Sequence, residues 1–187
     1  MRASIASAVI TTAAAAAIVA SLGGAAHAEP AAGAPPAELR PQAQLDFGLA
    51  VVGLGYELPV ATHLAIQAEA QIFGTYFLPW FDAGDAGKGL GGQVRATWFA
   101  RPCGRGLYVV AYGRFDAMRI DRDDVTADGY GISGGAAVGW VFRLSQRLDL
   151  RVGAGVQYLY SHAEAQGATL GASTPFPTLD GVLGYRL

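Results

Sequence analysis

Apolar and polar positions alternate with a period of two in one segment after another from residue 64 to the C-terminus. Leu64, Ile66, Ala68, Ala70, Ile72 and Tyr76 share one parity, and Gln67, Glu69, Gln71 and Thr75 the other. A strand sends successive side chains to opposite faces, whereas a helix gathers its apolar residues at spacings of three and four, so the pattern predicts strands. The next run sets Leu90, Val94, Ala96 and Trp98 against Gln93, Arg95 and Thr97, and the one after it Leu107, Val109, Ala111, Phe115 and Ala117 against Tyr108, Tyr112, Arg114 and Asp116. A fourth opposes Tyr130, Ile132, Ala136, Val138, Trp140 and Phe142 to Gly131, Ser133, Gly135, Gly139 and Arg143. The fifth has Leu148, Leu150, Val152, Ala154, Val156, Tyr158 and Tyr160 against Asp149, Arg151 and Gln157. The last has Leu179, Leu183, Tyr185 and Leu187 against Thr178, Asp180 and Arg186.

The connections alternate in length too. Short turns are expected at residues 59–62, 101–106 and 144–147, and longer polar or Gly-rich loops at 78–89, 118–128 and 162–175. Outer-membrane barrels place short turns in the periplasm and long loops outside, so this alternation orients the final strand downward. Tracing it backwards requires an upward strand before Leu58, and residues 44–58 are the place for it. There the apolar parity changes, from Leu45, Phe47, Leu49 and Val51 to Val52, Leu54, Tyr56 and Leu58. Either two short strands meet in a tight turn near residues 50–53, or one long strand carries a bulge. Even strand counts favour the first, giving eight strands.

Composition makes the alternation a statement about environment. Hydrophobic residues are 52% and charged ones 15% of the chain, yet every apolar stretch beyond Glu29 is soon interrupted by Gly, Gln, Arg, Asp or Tyr, so no mature segment reads as a transmembrane helix. A barrel that turns one strand face to lipid and the other to its lumen reconciles the two facts. Aromatics support it: Tyr76, Phe77, Trp80 and Phe81 cluster at one long loop, Tyr158 and Tyr160 precede another, and Trp98, Phe99, Trp140 and Phe142 sit just before short turns, as two interfacial girdles would require. A soluble sandwich would bury such residues in mid-strand instead.

The N-terminus fits export. Arg2, an apolar run from Ile5 to about Leu22, and Ala26-His27-Ala28 read as a secretory signal with an A-x-A cleavage site over residues 1–28. Residues 29–41, with four prolines and no periodic pattern, read as a flexible periplasmic leader. Residues 42–187 then form one domain. The expected fold class is all-β: a closed antiparallel up-and-down transmembrane β-barrel in the bacterial outer membrane. The net charge of −2 suggests no nucleic-acid partner. Cys103, the single cysteine, forms no intramolecular disulfide, and none stands at the cleavage site to carry a lipid.

The signal, the Gly- and aromatic-rich strands and the ending Gly184-Tyr185-Arg186-Leu187 resemble small outer-membrane barrels of the OmpA and OmpX types, and are most similar to the "outer membrane protein beta-barrel domain" group. The resemblance covers about residues 42–187. It implies a monomer among outer-membrane lipids and lipopolysaccharide, assembled by the barrel-insertion machinery, with a structural or surface-interaction role. Such proteins usually end in Phe; this chain ends in Leu187, with Tyr185 keeping the aromatic alternation.

Candidate chemistry is sparse. Glu69, Arg95, Arg114, Asp116, Asp149, Arg151, Asp180 and Arg186 all fall on the inward parity, which predicts a salt-bridged lumen plug, since eight strands leave an interior just wide enough for side chains. A narrow pore is the sharper alternative. Asp121, Arg122, Asp123, Asp124 and Asp128 lack the glycine and terminal glutamate of a calcium loop, and Arg119 and Arg122 among them suit lipopolysaccharide phosphates. Ser161, His162 and Glu164 have residue types used in hydrolysis, but adjacent strand residues diverge. With no nucleophile elbow, metalloprotease helix or phosphate loop, neither a cofactor nor an enzyme is expected.

Overall fold

The structure is a computed structural model that describes residues 38–49, 51–74, 86–122, 125–165 and 168–187. Eight strands follow one another: β1 Gln42–Phe47, β2 Val51–Ala61, β3 Leu64–Gly74, β4 Ala86–Phe99, β5 Gly106–Arg122, β6 Val125–Arg143, β7 Leu148–Ala165 and β8 Ala168–Arg186. Each pairs antiparallel with its neighbours, and β1 with β8 closes an up-and-down barrel. The parity change is therefore a hairpin, but its turn follows Phe47 rather than spanning residues 50–53, because Val51 to Gly53 already belong to β2: Phe47 pairs with Val52, and the Gly48 amide donates to the Val51 carbonyl at 2.9 Å. Residues 1–37, the whole of the expected signal and most of the leader, lie outside the described residues.

The register sets the barrel's shape. Stepping across the ladders from Gln42 passes through Glu57, Gln67, Arg95, Tyr112, Gly135 and Gln157 to Phe176. The direct partner of Gln42 on β8 is Arg186, ten residues further along the strand. Eight strands with a stagger of ten tilt by about 40°, within the range that lets a sheet close on itself.

Two expected loops are strands. Residues 118–122 and 125–128 continue the β5–β6 ladder, from Met118 opposite Gly129 to Arg122 opposite Val125. Residues 162–165 lie in β7 and 168–175 in β8, with His162 opposite Gly171 and Tyr158 opposite Pro175. Gly, Pro and charge signal loops, but backbone pairing needs no side-chain alternation and carries both strand pairs on through these segments. The aromatic cluster at residues 76–81 lies outside the described residues.

Side-chain placement inverts that of a water-soluble protein. Leu54, Leu90, Val94, Phe115, Val138, Val156 and Leu179 are all at least half exposed, whereas Gln42, Asp46, Glu57, Gln67, Arg95, Asp149 and Arg151 are buried. Outward aromatics include Trp140 and Phe142 near the short turns, Tyr185 at the C-terminal end, and Tyr130, Tyr158 and Tyr160 higher up. Phe99, expected in the lower girdle, instead faces inward and is fully buried. It forms an apolar floor with Ala65, Tyr108, Val110, Ala137 and Val141, against which Leu39 of the leader packs. Trp98, its outward neighbour, stacks on His63.

Candidate functional site: the charged lumen

Alternation delivers charge to the lumen from every strand, and the stagger decides which charges meet. At the lower level Arg151 of β7 donates to both carboxylate oxygens of Glu57 on β2, at 2.6 and 2.7 Å, and to Gln42 Oε1 at 3.2 Å. Its guanidinium also lies 5.0 Å from the centroid of the Phe99 ring. A two-point Arg–carboxylate bond fixes orientation as well as charge. At the rim Asp149 accepts from Arg186 at 2.5 Å and lies 3.6 Å from Arg143.

One layer up, Arg95 of β4 bridges two carboxylates. It donates to Asp46 of β1 and, at 2.6 Å, to Asp180 of β8, and the Tyr108 hydroxyl donates to the other Asp180 oxygen. Arg95 and Arg151 are among the most deeply buried side chains described. Charges taken this far from water persist only when paired and hydrogen-bonded.

Between and above these ion pairs, glutamines carry the hydrogen bonding. Gln67 donates to Glu69 at 2.7 Å, Gln71 donates to Asp116 at 2.6 Å, and Arg114 donates to Gln93 at 2.9 Å. Tyr112 donates to Gln157 at 3.0 Å, and its ring lies 5.4 Å from the Arg114 guanidinium.

All eight residues expected in the lumen, Glu69, Arg95, Arg114, Asp116, Asp149, Arg151, Asp180 and Arg186, are on its inner wall. The structure joins Arg95 with Asp180, and Asp149 with Arg186, but does not collect all eight into one network. The essential partners Asp46 and Glu57 were missed. Their signal was present: Gln42, Gln44 and Asp46 alternate with Ala43, Leu45 and Phe47, and Glu57 sits between Tyr56 and Leu58.

Glycine makes room for the bridge. A Cβ at Gly139 would lie 2.6 Å from the Tyr108 hydroxyl and 2.4 Å from the Val152 carbonyl, and one at Gly153 2.7 Å from that same hydroxyl. Gly139→Val should therefore dislodge Tyr108 from Asp180 and cost about 1–3 kcal/mol as overpacking. The check is chemical unfolding of Gly139→Val beside Gly134→Val, since a Cβ at Gly134 meets only the Tyr112 carbonyl, at 3.6 Å.

The other candidates disperse. Arg119 pairs with Asp128 at 3.0 Å in the open, while the side chains of residues 121–124 lie outside the described set. His162 lies 3.3 Å from Glu164 and 5.4 Å from the Tyr130 ring, with Ser161 on the opposite parity. Among the described residues no three His, Cys, Asp or Glu side chains come together as a metal site would require.

The fold and interior define an eight-stranded up-and-down barrel with a polar, ion-paired core and an apolar exterior. No protein-family model matches the chain, and no curated protein matches it.

Proposed function

We propose that the chain is a small outer-membrane barrel, a closed-lumen scaffold whose role is structural or interactive at the cell surface. One observation carries this reading: the charges are inside and the apolar side chains outside, in a band bounded by aromatics. On β6 the band runs from Trp140 up to Tyr130. Ten residues at the barrel's tilt span about 25 Å, the height of the apolar belt of an outer-membrane barrel.

The surface-exposed part is the wall of β5 to β8 rising above that belt, in place of the loops expected there. Outer-membrane lipids and lipopolysaccharide are the partners this surface would meet, and the exposed Arg119 offers them a cation already shared with Asp128. The barrel closes on itself and is proposed to work as a monomer.

Refolded in detergent, the protein should migrate differently on a gel before and after boiling, and cell fractionation should place it with outer-membrane proteins. A mature chain that stays soluble and monomeric without detergent ends this reading. Because Arg95, Arg151, Tyr108 and Phe99 fill the lower lumen, planar-bilayer recording should find no large, stable steps. Porin-like conductance would favour the solute-channel alternative. Mass spectrometry of lipid A after incubation with the folded protein tests the lipid-modifying alternative, for which an unchanged lipid is expected.

A further inference from the structure

Positive charge collects at one end of the barrel. The three short turns, the residues just before β1 and the end of β8 lie together there, and they carry Arg40, Arg101, Arg105, Arg143, Arg147 and Arg186. Against them stand Glu38, Asp149 and the carboxylate of Leu187. Asp149 is fully buried and already held by Arg186 at 2.5 Å, with Arg143 3.6 Å away. Arg40, Arg101, Arg105 and Arg147 are exposed, and among the described residues none of them makes an ion pair. At the opposite end Arg119 is paired with Asp128.

Closure of the barrel brings three of these arginines to one place. The Leu187 amide donates to the Pro41 carbonyl at 3.1 Å, which sets Arg40 beside the end of β8, and the Arg186 amide donates to the Arg147 carbonyl at 2.8 Å. Ser145 fixes the β6–β7 turn, its hydroxyl accepting from the Arg147 and Leu148 amides at 3.2 and 3.1 Å. The Arg147 guanidinium donates to the Tyr185 hydroxyl at 3.1 Å. Between these segments lies a surface cavity of about 410 Å³ lined by Arg40, Gln146, Arg147, Tyr185, Arg186 and Leu187. Its walls offer guanidinium, amide and phenol donors, and the chain end is the sole carboxylate among the lining residues.

The cavity adjoins the lower aromatic band. Tyr185 is 44% exposed on the outer face, and Trp98, Trp140 and Phe142 stand outward just before the same turns. Interfacial aromatics sit at the level of lipid headgroups, so arginines immediately beyond them reach lipid phosphates. A guanidinium presents paired donors that match two phosphate oxygens. A headgroup bearing an ammonium would add a further cation among three guanidiniums, which favours one without it.

We propose that this cavity binds the phosphodiester headgroup of an anionic phospholipid from the leaflet that the short turns face. Arg40 and Arg147 take the phosphate oxygens, Arg186 stays with Asp149, and the acyl chains rise along Tyr185 and its ladder partner Leu148. This inference rests on the outer-membrane reading above.

The test uses the mature protein folded in dodecyl maltoside and titrated with dihexanoyl phosphatidylglycerol or dihexanoyl phosphatidylcholine, with bound lipid counted by native mass spectrometry. Phosphatidylglycerol should bind about tenfold tighter, the order expected of two arginines beside an anionic headgroup. Arg40→Gln with Arg147→Gln should abolish the preference. Arg101→Gln with Arg105→Gln removes the same charge from the same end but not from the cavity, and should leave the preference and the gel shift unchanged. Equal affinity for the two lipids, or equal loss in the two double variants, overturns the site and leaves the barrel reading standing. Glycerol phosphate competing as well as the lipid overturns the lipid as ligand in favour of a soluble phosphate. Binding to peptidoglycan sacculi without any lipid preference, lost in Arg40→Gln with Arg147→Gln, overturns it in favour of the cell wall. A chain that stays soluble without detergent overturns the site and the outer-membrane reading together.

Discussion

An Arg95→Met variant should be about 3–5 kcal/mol less stable than the parent protein, the loss typical of removing one partner from a buried ion cluster. Arg95 holds Asp46 and Asp180 together from opposite sides of the closing seam, and Asp180 also takes the Tyr108 hydroxyl. Without the guanidinium, two buried carboxylates face each other with only neutral donors remaining. A triple variant, Arg95→Met with Asp46→Asn and Asp180→Asn, should recover most of the loss, because it removes the uncompensated charge rather than the contact area. Urea unfolding of vesicle-embedded protein, followed by tryptophan fluorescence, measures both. If the single variant loses no more than the triple one, the cluster is not what closes β1 onto β8.

On the proposed outer-membrane reading, Val94→Arg should cost about 2–4 kcal/mol, the penalty for a cation on the lipid face near the bilayer midplane. Val94 is 59% exposed and lies four residues above Trp98 on β4, about 10 Å into the apolar band. On a water-soluble barrel the same exposed substitution would change stability by only about 0.5 kcal/mol or less. The same unfolding titration therefore decides between the two environments without reference to function. Moving the arginine to Leu144, in an exposed turn, should reduce the penalty to about 0–1 kcal/mol.

Much of this architecture was legible in the residues because side-chain period is a local property. Ile66 to Ile72, Val94 to Trp98 and Leu148 to Tyr160 each declare their two faces within a few residues, and the parity reversal between Val51 and Val52 betrays the first hairpin. Where local chemistry and position in the band diverge, the reading failed. Phe99 looked like a girdle aromatic because it stands next to Trp98 before a turn, yet neighbouring strand residues must part, and Phe99 became the floor of the lumen. Met118 to Arg122 with Val125 to Asp128, and His162 to Ala165 with Ala168 to Pro175, look like loops because of their polar, Gly and Pro residues, but backbone pairing continues a strand without alternation.

The chain's own sequence thus settled which side chains face in and which face out, since a period of two needs only neighbouring residues to express it. Pairing of charges was beyond its reach: Arg95 finds Asp46 and Asp180 at separations of 49 and 85 residues, and Arg151 finds Glu57 at 94. Those meetings depend on the ten-residue stagger, a property of closure around all eight strands that no single segment encodes. The same holds for the seam, where a 6-residue strand and a 19-residue strand become neighbours only once the sheet has come full circle.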